Sequence, residues 1–371
     1  MIPDPAEIAA ERDAALLARA DGPSAPASWW IRLGGTVKAF PFGYKPYVRE
    51  FRPDALDRIR TDDGEFIALA RYAPRGQRRF REPVVLCHGH GANRFTFDLD
   101  ERYSLARRLA ERGFETWIVE LRGRGEAGEA QRISFDRQTL YDVGAALRSL
   151  TATGAPGVLW VGHSKGGLLP LAHLGIRPTA PIRAVVTLGT PTTFALQRGL
   201  KAFARVVRPL LDAPKVPIQN LARLSLFVPP PEWFMQYLVY SENIDPEIRK
   251  LALVNVGADV AGGVARQFFR WANTGRWDSE DGTIDYERSL ANVRVPTLLI
   301  AGSRDLFAPP DAVAHALGHL GGPAELLVAG RDNGFLDDYG HGDLVLGRHA
   351  PEDLYPRIAA FLESHASPVS R

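Results

Sequence analysis

The stretch VLWVGHSKGG, residues 158–167, sets a single serine among glycines directly after an apolar run. Val158, Leu159, Trp160 and Val161 read as a strand, and beyond Gly167 the chain turns apolar again as a helix. Gly162-His-Ser-Lys-Gly166 fits G-x-S-x-G in the strand–turn–helix context where that spacing carries a nucleophile. Such a turn admits only small residues two positions either side of the serine. It strains the serine backbone and lifts the hydroxyl above the strand end. The following helix aims its positive end at the same point. The bland reading is a strand-to-helix turn with a serine cap, and short motifs recur by accident. The rest of the chain must therefore supply the partners.

A serine nucleophile needs a base, and the base needs an orienting acid. In strand–helix folds with this elbow they follow in the order Ser, Asp, His, each in a loop after a strand. Asp305 lies in AGSRDLFAPP, directly after the strand-like VPTLLIAG (295–302). His341 lies in DDYGHGDLVLG, after AELLVAG (324–330). Of the nine histidines, His88, His90, His163 and His173 precede the acid. His315 and His319 fall on the helix right after Asp305, and His349 and His365 fall near or within the last helix. Asp311 is better read as a helix-start residue, and Asp337 and Asp338 stand too close to His341 for the usual layout. The loop LCHGHGANRF offers the main-chain N–H of His90 to a developing oxyanion, with that of Lys165 as the second donor.

The pattern around these residues is regular. DRIRTDDGEFIALARYAP reads as two strands about an Asp-Gly turn. Strand-like EPVVLCHG, FETWIVEL, GVLWV and IRAVVTLG then alternate with helix-like YSLARRLAERG, QTLYDVGAALRSL and GGLLPLAHLG. That alternation implies a parallel sheet covered on both faces. It breaks at Pro191, and residues 191 to about 290 look helical, aromatic and free of clear strands. The expected division is an N-terminal extension (1–54), a core in two parts (55–190 and 291–371) and a helical cap (191–290). Within the extension, residues 1–25 read as a short helix and linker. WWIRLGG (29–35) reads as packing on the main domain, with contact to a membrane surface as the other reading.

HG after one strand, RGRG after the next, then GHSKG, GSRD and GHGD fall in the order of the α/β-hydrolase superfamily, serine esterase/lipase type. The chain resembles that family over residues 55–371, and YGHGDLVLG is similar to the histidine loop of acid-lipase-like enzymes. It departs in carrying Lys after the serine, where Gln or Met is more usual in lipases, and in an oxyanion loop that is not HGGG. The resemblance implies a mostly parallel α/β-hydrolase sheet with helices on both faces and a helical cap. It also implies hydrolysis of carboxylic esters through an acyl-enzyme, with small-molecule or lipid esters as substrates and no cofactor. Acyl transfer, thioester cleavage and polyester cleavage share the first half-reaction. The reading from another class is a non-catalytic binder of apolar ligands.

Composition excludes several alternatives. The 45 basic and 43 acidic residues leave a formal charge of +2, and no basic helix or zinc-finger spacing suggests nucleic acid. The one cysteine, Cys87, forbids an intramolecular disulfide and points to a reducing, cytoplasmic setting. GRGEAG (123–128) fits a dinucleotide fingerprint only formally, because no helix pattern opens there. Its bland reading is a glycine-rich loop held by ion pairs of Glu120 and Arg122. His88-x-His90 lacks a third ligand by spacing, so no metal is expected there. In the insertion, LKAFARVVRPLL (200–211) has helical spacing, and Trp233, Phe234 and Met235 follow three prolines. These three are the expected substrate pocket, with packing within the cap as the alternative. In the pocket reading, Trp233→Ala moves the acyl preference toward longer chains.

Overall fold

The computed structural model describes residues 43–50, 52–194 and 215–369. The expected elements in 1–25, WWIRLGG and LKAFARVVRPLL lie outside them.

The apolar runs form strands as their pattern requires. The chain lays down β1 (Ala55–Arg60), β2 (Phe66–Tyr72), β3 (Val84–Cys87), β4 (Thr116–Glu120), β5 (Val158–His163) and β6 (Ile182–Leu188). Within the insertion come the two-residue β7 (Lys215–Val216) and β8 (Val260–Ala261), followed by β9 (Thr297–Gly302) and β10 (Ala324–Ala329). Eight strands make one sheet in the order β1-β2-β4-β3-β5-β6-β9-β10. β2 is antiparallel to both β1 and β4, and every other pairing is parallel.

β5 shows why these strands read as continuous apolar runs. Successive side chains point to opposite faces, and both faces are covered. Leu159 and Val161 join a core with Leu86, Ile118, Val186 and Ile300, closed by Phe97, Leu105, Tyr355 and Phe361. Val158 and Trp160 join the opposite core with Val85, Val119, Leu147, Leu168 and Leu171. At roughly 1.5–3 kcal/mol for each large apolar side chain fully buried, these layers dominate the stability of the fold.

The insertion differs from expectation in two ways. β7 and β8 pair antiparallel, a strand element that two residues per strand are too few to reveal by periodicity. In addition, Trp271, Trp277, Tyr286 and Leu290 are buried in the same core as Trp160. The helix Gly262–Thr274 and the turn Tyr286–Ser289 therefore extend the helical layer over one sheet face. The apolar core runs straight across residue 290.

Candidate active site

β5 ends at His163, and Ser164 caps the helix Lys165–Ile176 with φ 53° and ψ −119°. Among the described residues it is the single non-glycine with positive φ, a conformation costing about 1–3 kcal/mol unless its surroundings enforce it. They do. Ser164 N–H donates to Leu188 O at 2.8 Å, and Thr190 Oγ1 donates to Ser164 O at 3.0 Å. The indole N–H of Trp160 donates to Gly166 O at 3.0 Å. A Cβ on Gly162 would collide with the Gly166 carbonyl, and one on Gly166 with the Cys87 carbonyl. The two glycines of the motif are thus required by close approach of backbones. Ser164 is 3% exposed, and its Oγ makes no hydrogen bond among the described residues.

Parallel register brings the other loops to the same sheet edge. His163 pairs with Leu188, Leu188 with Ile300, and Gly302 with Ala329. Asp305 follows Gly302, and its Oδ1 accepts the amides of Phe307 (2.8 Å) and Ala308 (2.7 Å). Its Oδ2 accepts from His341 Nδ1 at 2.8 Å. That bond puts the imidazole proton on Nδ1 and leaves the Nε2 lone pair bare. Asp311 heads the helix Pro310–Ala314, and Asp337 binds His349 and Arg331. Neither contacts His341.

The His341 loop is held by residues that the spacing argument passed over. His163 Nε2 contacts His341 O at 3.0 Å, and burial, then the neighbouring His341, push the His163 imidazole down to about 3. A neutral His163 thus donates to that carbonyl. Asp343, the last residue of GHGD, is wholly buried. It accepts from Gly340 N (2.7 Å), Tyr240 N (2.9 Å) and Asn243 Nδ2 (3.1 Å). The buried acid in the motif was a usable signal, because such a group needs donors.

On the far side of the serine, neither the His90 nor the Lys165 amide donates a hydrogen bond among the described residues. The Lys165 side chain is buried with Nζ donating to Gln138 Oε1 at 2.8 Å, and burial, then the Arg124 charge, push it down to about 7. His90 is pushed down to about 3 by burial and then by Lys165. Its ring stacks on Phe268 of the insertion at 4.9 Å between centroids. Of the expected pocket, Met235 is buried, Phe234 is half-buried and Trp233 is 55% exposed, its ring edge-on to Phe234 at 6.0 Å. Phe268 is the aromatic that touches the His90 loop. At the glycine-rich loop, buried Glu120 accepts the Glu126 amide at 2.8 Å, and Glu120 and Arg122 each make buried ion pairs. Glu120 binds Arg94, and Arg122 binds Asp63 and Asp142.

The comparisons agree with this geometry. The chain matches the alpha/beta hydrolase family over residues 84–361. Triacylglycerol lipase 1 of Arabidopsis thaliana is 23% identical over 350 residues, 82% of this chain and 86% of the relative. Human lipase member K is 23% identical, over 83% and 87%. An esterase from Exiguobacterium antarcticum superposes with a TM-score of 0.56 at 18% identity, over 83% of this chain and 97% of that one. An esterase from Thermogutta terrifontis does so with 0.56 at 18%, over 84% and 100%. With its sheet order, its elbow and this match, the chain belongs to the alpha/beta hydrolase family.

Proposed function

We propose that this protein is a serine hydrolase of carboxylic esters with Ser164, His341 and Asp305 as its catalytic residues. The observation that carries the reading is the 2.8 Å His341–Asp305 pair on the same sheet edge as a positive-φ serine. Ser164 Oγ attacks the ester carbonyl while His341 Nε2 takes its proton, and the Asp305 carboxylate stabilises the imidazolium. The negative oxygen of the tetrahedral adduct is met by the His90 and Lys165 amides, each worth about 3 kcal/mol of barrier. Collapse breaks the C–O bond, and His341 passes its proton to the departing alcohol. Water then repeats the cycle on the acyl-enzyme and frees the acid. The lipase and esterase names of the relatives and neighbours support the ester bond as target.

For the substrate we infer a hydrophobic acyl or alkyl group, delivered from small or lipid esters under an insertion acting as cap. Phe268 on His90 supports this, as do the exposed Leu221, Phe227, Val228, Trp233 and Leu238 of the insertion, which suit an oily surface. A buried lone Cys87 accords with a cytoplasmic setting, and no helix among the described residues is long and apolar enough to cross a membrane. A p-nitrophenyl ester panel from acetyl to palmitoyl, with fluorophosphonate labelling, tests the proposal. Turnover and labelling that both vanish in Ser164→Ala support it. A protein that labels nowhere and turns over nothing is a binder instead.

A further inference from the structure

Glu287, His315 and His319 meet outside the group formed by Ser164, Asp305 and His341, and nothing in the ester chemistry uses them. Glu287 comes from the turn Tyr286–Ser289 that precedes β9. His315 opens the 3₁₀ turn His315–Gly318 that follows the helix after Asp305, and His319 ends it. His315 Nε2 lies 3.2 Å from Glu287 Oε1, and His319 Nε2 lies 3.9 Å from the same oxygen. One donor atom from each of the three residues lies within 4.8 Å of the others. The two imidazoles stack at 4.1 Å between centroids and 22° between planes, so both present the same edge to the carboxylate.

Hydrogen bonding at the other edge of each ring is what makes this cluster more than an ion pair. His319 Nδ1 lies 2.8 Å from His315 O, which can only accept, so the proton sits on Nδ1. With Nδ1 anchored on that carbonyl, Nε2 is the ring nitrogen that faces Glu287 Oε1. Two ring nitrogens and a carboxylate oxygen converging in this way form a donor set that a cation can occupy. His315 Nδ1 is held by Thr192 Oγ1 at 3.3 Å, which leaves its Nε2 as the nitrogen facing Glu287. Metal-bound histidines are oriented in this way, with one ring nitrogen on a carbonyl or hydroxyl and the other on the ion.

We propose that Glu287, His315 and His319 bind a divalent transition-metal ion, zinc by their donor set. Two imidazole nitrogens and a carboxylate oxygen suit zinc at about 2.0–2.2 Å, with water completing four-coordination. Donors on such a tetrahedron stand about 3.3 Å apart, against 3.2 and 3.9 Å from Glu287 Oε1 to the two Nε2 atoms. The three side chains are a quarter to two-fifths exposed, which gives the ion a way in. The ion would tie the chain entering β9 to the chain leaving the acid loop. Thr192, which also bonds Ala312 O through its amide at 3.0 Å, adds the exit from β6. The site includes none of the groups that react at Ser164.

Zinc titration by calorimetry on tag-free protein, first dialysed against EDTA, tests the site. The full chain should bind one Zn²⁺ per molecule, and added zinc should raise its melting temperature. His319→Gln and Glu287→Gln should each weaken binding at least tenfold and abolish that rise. Ser164→Ala should bind zinc as the native chain does, which separates this site from the hydrolase reading. Circular dichroism shows whether each variant is folded, and these partly exposed side chains lie outside the apolar cores. If the native chain binds no stoichiometric zinc, or if both variants bind as it does, the cluster is a plain imidazole–carboxylate contact and the proposal fails.

Discussion

At the residue scale, Ser164 carries the backbone strain and is the proposed nucleophile. Glycine at this position releases the φ 53° cost at the expense of some chain entropy. Ser164→Gly should therefore gain about 1 kcal/mol in urea denaturation while losing at least about 10⁴-fold in kcat. A variant less stable than the native chain would mean that the turn is not strained. On the proposed mechanism, His163 acts as a positioning residue. Its Nε2 bond to His341 O should make His163→Phe lose roughly tenfold in kcat with KM unchanged, and His163→Gln should restore part of the loss. Equal damage to KM, or no rescue by Gln, would count against that role. The sequence could single out Ser164, Asp305 and His341 as candidates because each follows a strand in a fixed chain order. His163 was passed over because its role depends on the His341 carbonyl, 178 residues away, and no local pattern carries that. Trp233 shows the limit of such reading, since prolines before an aromatic say nothing about which way it faces.

At the scale of elements, apolar strands were easy to read and polar helix partners were not. QTLYDVGAALRSL reads as one helix, yet Gln138–Asp142 is a π-helical turn between α-helical Phe135–Arg137 and Val143–Thr151. The wider turn sets Gln138 against Lys165 and Asp142 against Arg122. Those buried pairs, set by tertiary structure, override the local pattern. The Lys165 pair has a measurable pH signature. The folded ammonium gives up its proton near pH 7, whereas the unfolded one keeps it to about 10.5. Between those values the unfolded state binds more protons, so stability rises with pH, by at most about 1.4 kcal/mol per unit. Below pH 7 both states are charged and the full cost of burial is present. Lys165→Met keeps the amide and removes the charge. Its stability advantage over the native chain should shrink steadily from pH 7 to 9 in chemical denaturation. A pH-independent difference would contradict the burial argument.

At the scale of the whole molecule, the alternation of strand and helix announced a parallel sheet, but the order β1-β2-β4-β3-β5-β6-β9-β10 was beyond it. Crossovers depend on which faces pack, and that emerges only when distant segments meet. The break in rhythm is what suggests an insertion over 191–290, and Trp271, Trp277 and Tyr286 of that stretch pack in the core that holds Trp160. Asp343 joins the two regions. In Asp343→Ala the Tyr240, Gly340 and Asn243 donors lose a carboxylate acceptor, which should cost roughly 3 kcal/mol at 1–3 per stranded group. Urea denaturation measures it, and a loss under about 1 kcal/mol would show that water replaces the acid there.

The same carboxylate limits what recombination can do with this scaffold. Gly342 N–H donates to Leu238 O and Arg348 N–H to Asn243 O, both at 2.8 Å, alongside the two bonds from Tyr240 and Asn243 to Asp343. Four hydrogen bonds thus stitch residues 238–243 to the loop that carries His341. A chimera that exchanges the insertion for a relative's would cut through this seam. It would keep its nucleophile and acid while its histidine drifted. Exchanging the insertion and residues 340–348 together, as one inherited block, keeps donors and acceptors matched.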